Sequence, residues 1–277
     1  VSGLLVDIEQ NGLLTQGENP VSYVKEQLEK AKDDGSVQAV LLRINSPGGT
    51  VTASEMLRDE ILRFKTQTGK PVVAVMTDVA ASGGYYTAVA ADRIVAYPTS
   101  ITGSIGVIMQ LFSLEGSLNA IYVDTYPIKS GPFKDAGSPL RDLTPEERQL
   151  FQQIVNQFYD QFIDVVAKGR PNLSREKIQT LADGRIYTAQ QALAAGLIDE
   201  IGSIYTAADW LKHKTNNKRM NVVLYHRPQQ WRSTIYAGSP GTAPHAGPLG
   251  LDIREIDSAL RPKFLYLWAP GLTPGAG

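Results

Sequence analysis

A serine set among small residues, Ala80-Ala81-Ser82-Gly83-Gly84-Tyr85-Tyr86, directly follows the strand-like run Val72-Val73-Ala74-Val75-Met76. Small neighbours are what an attacked carbonyl requires, because bulky ones would block a peptide from reaching the hydroxyl. Upstream lies Asn45-Ser46-Pro47-Gly48-Gly49, and downstream a Lys134-Asp135 pair. Alone, Ser-Gly-Gly is an ordinary helix start and Pro-Gly-Gly a plain tight turn. In combination they supply a nucleophile, an oxyanion site and a base.

The roles follow from residue chemistry. Glycines let backbone N–H groups approach a ligand closely, so the amides of Gly49 and Gly83 suit a developing oxyanion. One such donor is worth on the order of 3 kcal/mol of transition-state stabilisation. All three histidines (His213, His226, His245) lie beyond residue 210, far from these motifs. Lysine is then the expected acceptor for the Ser82 proton, from Lys129 or Lys134. A lysine works as a base only when neutral, which means lowering an ordinary pKa of about 10.4 by roughly three, or about 4 kcal/mol. Burial must supply that change. Ser104, in Thr102-Gly103-Ser104-Ile105-Gly106-Val107, offers a second hydroxyl that could hold the amine toward Ser82. The glycine spacing there matches neither a phosphate loop nor a dinucleotide fingerprint.

The elements that must carry these residues alternate. Short apolar runs at 4–8, 37–44 and 72–76 are separated by helical patterns, which predicts β-α-β units and a parallel sheet. Residues 20–34 put Val21, Val24, Leu28 and Ala31 on one face. Residues 50–65 carry Leu57, Ile61, Leu62 and Phe64 at largely helical spacing, stopped by Gly69 and Pro71. Ser82 therefore falls at a strand-to-helix transition, with 85–91 as the next helix. The longest helix opens on Thr144 as N-cap, Pro145 at its first position and Glu147 closing a capping box, and ends at Gly169. Its stripe of Phe151, Ile154, Val155, Phe158, Phe162 and Val165 is core or a subunit contact, by different turns. Lys134 sits in a Pro- and Gly-rich loop, 129–139.

Composition narrows the class. At 277 residues and 43% hydrophobic content, the chain can bury one large core. A net charge of -1 with no dense basic run argues against nucleic acid as a partner. Without cysteine there is no disulfide framework, thiol nucleophile or cysteine metal cluster, and the reading calls for no cofactor and no metal. No apolar stretch reaches about 18 residues, so no membrane span is expected. A start at Val1 suggests a mature or trimmed form. The expected organisation is a domain over 1–225 and a Pro/Gly-rich C-terminal arm over 226–277.

These residues resemble the signal peptide peptidase A family of Ser/Lys peptidases, in its half-length bacterial-type form. The resemblance covers roughly residues 1–215. It rests on Ser46-Pro47-Gly48-Gly49, Ala81-Ser82-Gly83-Gly84-Tyr85-Tyr86, Thr102 to Val107 and Lys129-Ser130-Gly131-Pro132-Phe133-Lys134-Asp135, in that order, with Ala182-Asp183-Gly184-Arg185 and Leu197-Ile198-Asp199 downstream. It implies an α/β fold of the Clp protease/crotonase type, a parallel sheet with β-α-β units and flanking helices, plus an extended C-terminal arm. It also implies Ser82 as nucleophile, Lys134 rather than Lys129 as base, Ser104 as the lysine's partner, and Gly49 and Gly83 as oxyanion donors.

The implied activity is a serine endopeptidase degrading cleaved signal peptides or other apolar membrane-derived peptides. Ring or dome homo-oligomers are implied too, in which Ser82 and Lys134 come from different chains or from one. Family members are anchored to a membrane with the catalytic part outside the cytoplasm, through a segment this sequence lacks. Two alternatives stand beside this reading: a crotonase-type acyl-CoA enzyme, using the same paired amides on a thioester, and a non-catalytic oligomeric scaffold. The segment Phe264-Leu265-Tyr266-Leu267-Trp268-Ala269-Pro270 resembles an extended apolar peptide that packs on a neighbour or occupies a groove.

Overall fold

The computed structural model describes residues 1–7, 19–225 and 264–268. A curled sheet of six strands forms its centre: β1 (Val40–Ser46), β3 (Val72–Ala81), β4 (Arg93–Ala96), β5 (Ile101–Gly103), β7 (Ile186–Thr188) and β8 (Glu200–Ile201). The order is β7-β5-β3-β4-β8, with β1 paired to β3. All pairings are parallel except β5 with β7. Strand β3 is the spine. Its Val72 to Met76 are all buried, the continuous apolar run of a strand covered on both faces.

Helices α1 (Pro20–Asp33), α2 (Val51–Thr68), α5 (Pro145–Gly169), α7 (Ala189–Ala194) and α8 (Ile204–Lys214) flank the sheet. Short helices α4 (Glu115–Ala120) and α6 (Arg175–Leu181) precede and follow α5 along the chain. The flanking helices begin for local reasons. Asn19 accepts from the amides of Val21 and Ser22, Thr50 from that of Ala53, and Thr144 exchanges bonds with Glu147 in a capping box. Gly69 closes α2 in the left-handed conformation at φ 64°. The apolar face expected for α1 is the one it buries: Val21, Val24, Leu28 and Ala31. In α5 the stripe divides. Phe162 and Val165 enter the core, whereas Phe151, Ile154, Val155 and Phe158 stay half-buried.

Three expectations change. Of the run at 4–8, the described residues 4–7 contribute one isolated bridge, Leu5 with Gly49, beside that of Ser2 with Asn45, because the segment meets β1 and the stretch after it at single points. The Pro-Gly-Gly stretch is not a tight turn. Gly48–Thr50 extends as β2, and with β6 (Ile108–Met109) and β9 (Phe264–Leu267) it forms a second, antiparallel sheet in the order β2-β9-β6. The helix after Ser82 is shorter than anticipated, since α3 spans only Gly83–Ala88. Apart from 264–268, the arm proposed for 226–277 lies outside the described residues.

Candidate active site

Ser82 stands where β3 ends and α3 begins. Its backbone takes φ 52° and ψ -115°, a conformation that an L side chain rarely adopts and that costs about 1–3 kcal/mol. Three anchors enforce it. Its N–H donates to Gly103 O at 2.7 Å, its C=O accepts from Tyr86 N at 2.8 Å, and Gly84 is pressed so close to Ser46 O that a Cβ there would lie 2.7 Å away. The residue is 1% exposed, yet its hydroxyl has no hydrogen-bond partner among the described residues. A buried hydroxyl left without a partner is an expensive arrangement. Strain and a missing partner at one residue are what a nucleophile waiting for its base and substrate would show.

The two expected oxyanion donors converge beside it. A Cβ on Gly83 would lie 2.3 Å from Ser54 Oγ and 3.2 Å from Gly49 N, and one on Gly49 would lie 1.8 Å from Leu5 O, so a side chain at either position forces a neighbour to move. Gly83 opens α3, where the first N–H groups have no partner inside the helix. Gly48 takes φ 105°, open only to glycine, and the Ser46 hydroxyl pins it in place: its Oγ accepts from Gly48 N at 3.1 Å and donates to Gly3 O at 2.6 Å. Ser46 is a positioning residue that sequence reasoning missed. The signal was a hydroxyl two residues before the glycine pair, the spacing of a serine turn.

Ser104 also reaches the site. Strands β3 and β5 pair Ala81 with Gly103, which places Ser82 and Ser104 one residue beyond adjacent strand ends. Ser104 is buried, with φ 48° and its N–H on Arg185 O at 2.8 Å.

Lys134 is not brought together with them. It lies exposed in the 129–139 loop, its N–H on Gly131 O at 3.2 Å, and the Ser82 hydroxyl has no partner among the described residues. Among the described residues the neighbouring carboxylates are engaged elsewhere and none pairs with Lys134. Asp135, its expected partner, binds Arg141 through two bonds of 2.9 Å and Lys129 at 2.6 Å, and Arg141 also grips the buried Glu147. These hydrogen bonds, with Arg141 first, hold the Asp135 carboxyl well below the usual carboxylate range, and Arg141 lowers Glu147 likewise. Lys129 is thereby tied up and Lys134 left available. Around the loop lies an unusual amount of exposed apolar surface: Tyr122 is 96%, Tyr126 83% and Ile128 fully exposed.

Beneath the glycines is an aromatic pocket. Tyr86, Phe162 and Tyr266 pack with ring centroids 4.6–5.0 Å apart. At its floor Tyr86 Oη bonds the Glu55 carboxylate, which also accepts from Gln161 at 3.2 Å; burial pushes the Glu55 carboxyl up. No group of three or more His, Cys, Asp or Glu that could hold a metal occurs among the described residues.

The curled, mostly parallel sheet and its flanking helices place the chain in the Clp protease/crotonase-like class of α/β proteins. The chain belongs to peptidase family S49, whose family model matches residues 64–218 and so takes in Ser82, Ser104 and Lys134. It is 36% identical over 225 residues to "Putative signal peptide peptidase SppA" of Enterococcus faecium, covering 81% of this chain and 65% of that protein. It is 38% identical over 205 residues to "Protease 4" of Salmonella typhi, covering 72% and 33%. With "Serine protease SPPA, chloroplastic" of Arabidopsis thaliana it shares 36% identity over 217 residues, covering 77% and 32%. The chain thus spans just under two thirds of the first relative and about a third of the other two.

Proposed function

We propose that this chain is a serine peptidase in which Ser82 attacks a peptide carbonyl, Lys134 accepts its proton, and the amides of Gly49 and Gly83 hold the oxyanion. The acyl-enzyme is then hydrolysed by water activated by the same lysine. The observation that carries the reading is Ser82 itself: strained, buried, without a hydroxyl partner, and beside two converging glycine amides. Ser104 serves as the lysine's hydroxyl partner. Signal-peptide remnants and other apolar peptides are the substrates this reading favours, since relatives carry signal peptide peptidase names.

Lys134 reaches Ser82 from a second copy. A base lysine must be desolvated, and in the single chain Lys134 is exposed. The apolar surface at Tyr122, Tyr126 and Ile128 on the same segment is large enough to demand a covering partner. Packing that segment onto a neighbour in a head-to-tail ring would bury it and carry Lys134 to the next Ser82. Membrane attachment belongs to this proposal as well, by kinship alone; no helix among the described residues is long and apolar enough to cross a bilayer.

The test is turnover of a fluorogenic apolar peptide by the assembled protein and by Ser82→Ala and Lys134→Ala variants. Both variants must lose nearly all activity while remaining folded. Retained activity in Ser82→Ala would remove the reading, and retained activity in Lys134→Ala would remove the base.

A further inference from the structure

Helix α3 carries the Gly83 amide and follows directly on Ser82, yet it has little of its own to hold it in place. It is six residues long, opens on two glycines, is wholly buried, and has no side-chain cap among the described residues. Glycine disfavours a helix, and so short a helix does not stand by itself. Thr87 turns inward, its Oγ1 donating to Gly83 O at 2.9 Å. That leaves Tyr85 and Tyr86 as the side chains long enough to reach another element.

Tyr86 reaches α2, at the Glu55 carboxylate. Tyr85 reaches the Leu197-Ile198-Asp199 stretch that leads into β8. Its Oη donates to Leu197 O at 2.8 Å, and both residues are fully buried. This anchor is itself braced. Asp199 accepts from Ile94 N at 2.6 Å and returns its own N–H to Ile94 O at 3.0 Å, which ties the stretch to β4. Arg170, the buried C-cap of α5, places one guanidinium nitrogen 2.9 Å from each Asp199 oxygen, and the same guanidinium faces the Tyr85 phenol. Gly169 beside it is pressed against the end of α3, where a Cβ would lie 2.4 Å from Val89 O. The end of α3 remote from Ser82 is thus located by α5, β4 and the entry to β8.

The tolerance is small. Six residues at about 1.5 Å each span about 9 Å, so a tilt of about 6° about the remote end carries the Gly83 amide about 1 Å. A displacement of that size at a reacting centre costs on the order of 100-fold in rate.

We propose that Tyr85, held by Arg170 and Asp199, is a positioning residue: its hydroxyl fixes the tilt of α3, and so aims the Gly83 amide at the oxyanion and helps hold Ser82 in its strained conformation. This role rests on the peptidase reading of Ser82 and Gly83, and the test separates the two.

Tyr85→Phe in the assembled full chain removes one oxygen and leaves the ring in place. With a fluorogenic peptide, kcat should fall about tenfold while KM stays within about twofold, since an oxyanion donor acts in the transition state and not on the bound peptide. Fluorophosphonate labelling of Ser82 should slow by the same factor. The pH midpoint of activity should stay in place, because Lys134 is untouched. Arg170→Lys keeps the charge but lacks the planar fork that spans Asp199 and the phenol, and should show the same split at several-fold. In a Gly83→Ala background, where the amide is already displaced, Tyr85→Phe should cost less than about twofold more, whereas independent effects multiply. A lowered Tm with kcat unchanged, a shifted pH midpoint, or the full loss repeated in the Gly83→Ala background would each overturn the proposal. Hydrogen exchange reads the geometry without turnover: residues 82–88 should exchange several-fold faster in Tyr85→Phe with 145–165 unchanged, and equal exchange at 82–88 would likewise overturn it. Faster exchange there, in a protein that hydrolyses no peptide with Ser82 intact, would remove the peptidase reading and keep the tether of α3.

Discussion

Mixing two dead variants should restore activity. If each site takes Ser82 from one copy and Lys134 from the next, Ser82→Ala and Lys134→Ala subunits co-assembled in equal amounts will contain some sites with both groups intact. Half the serines and half the lysines are wild type, so about one quarter of the sites are complete in a randomly mixed head-to-tail ring. Activity should follow a parabola in mixing ratio, zero at both ends and highest at equal parts. A dyad closed within one chain gives no activity at any ratio, because every chain lacks one of its members. Three features favour this proposed arrangement: the exposed Lys134, the Ser82 hydroxyl without a partner among the described residues, and exposed apolar side chains on the lysine-bearing segment. The assay is hydrolysis of a fluorogenic peptide after co-refolding, with native mass spectrometry verifying mixed assemblies. A flat baseline across ratios, with mixing verified, would refute the reasoning.

Replacing Ser82 by glycine should abolish turnover yet raise Tm by about 2 °C, since glycine accepts φ 52° without the strain of roughly 1 kcal/mol; an unchanged or lower Tm in calorimetry would contradict this. Gly83→Ala should cut turnover on the order of 100-fold, its Cβ 2.3 Å from Ser54 Oγ and 3.2 Å from Gly49 N. Adding Ser54→Ala should recover thermal stability without activity, because the Gly49 contact remains. Asp135 and Glu147, held below the ordinary carboxylate range of about 4, contribute fully above it and lose their contribution as pH falls through their lowered native values. Hydrogen exchange over 129–147 should therefore rise steeply only in strong acid, whereas Arg141→Met should exchange fast already at neutral pH. Identical profiles would remove the ion-pair account of that loop.

Elements specified by local chemistry were legible in the sequence. The caps at Thr50 and Thr144, the stop at Gly69 and the buried run Val72 to Met76 each follow from a few neighbouring residues. So was the nearness of Ser82 and Ser104, which follow the paired ends of β3 and β5, and of Gly49, which lies just past the end of β1 beside β3. Glycine-rich Gly48–Thr50 read as a turn because its partner strand is more than 200 residues away, and pairing at that separation leaves no local trace. The extended character of Phe264 to Leu267 was visible, but its pairing with Gly48–Thr50 was not. The left-handed backbone at Ser82 is imposed by Gly103 and Ser46 from other strands. The distance of Lys134 from Ser82 was not legible, because Lys134 is exposed in the 129–139 loop that carries it and no local pattern says where that loop packs.

The central claim is that Ser82 is an activated nucleophile facing the Gly49 and Gly83 amides. Its most direct test is peptide mapping of the assembled protein after treatment with a fluorophosphonate. The account predicts a single adduct on Ser82, absent in Ser82→Ala and formed far more slowly in Lys134→Ala. An unlabelled Ser82 in protein that still hydrolyses peptides would contradict it.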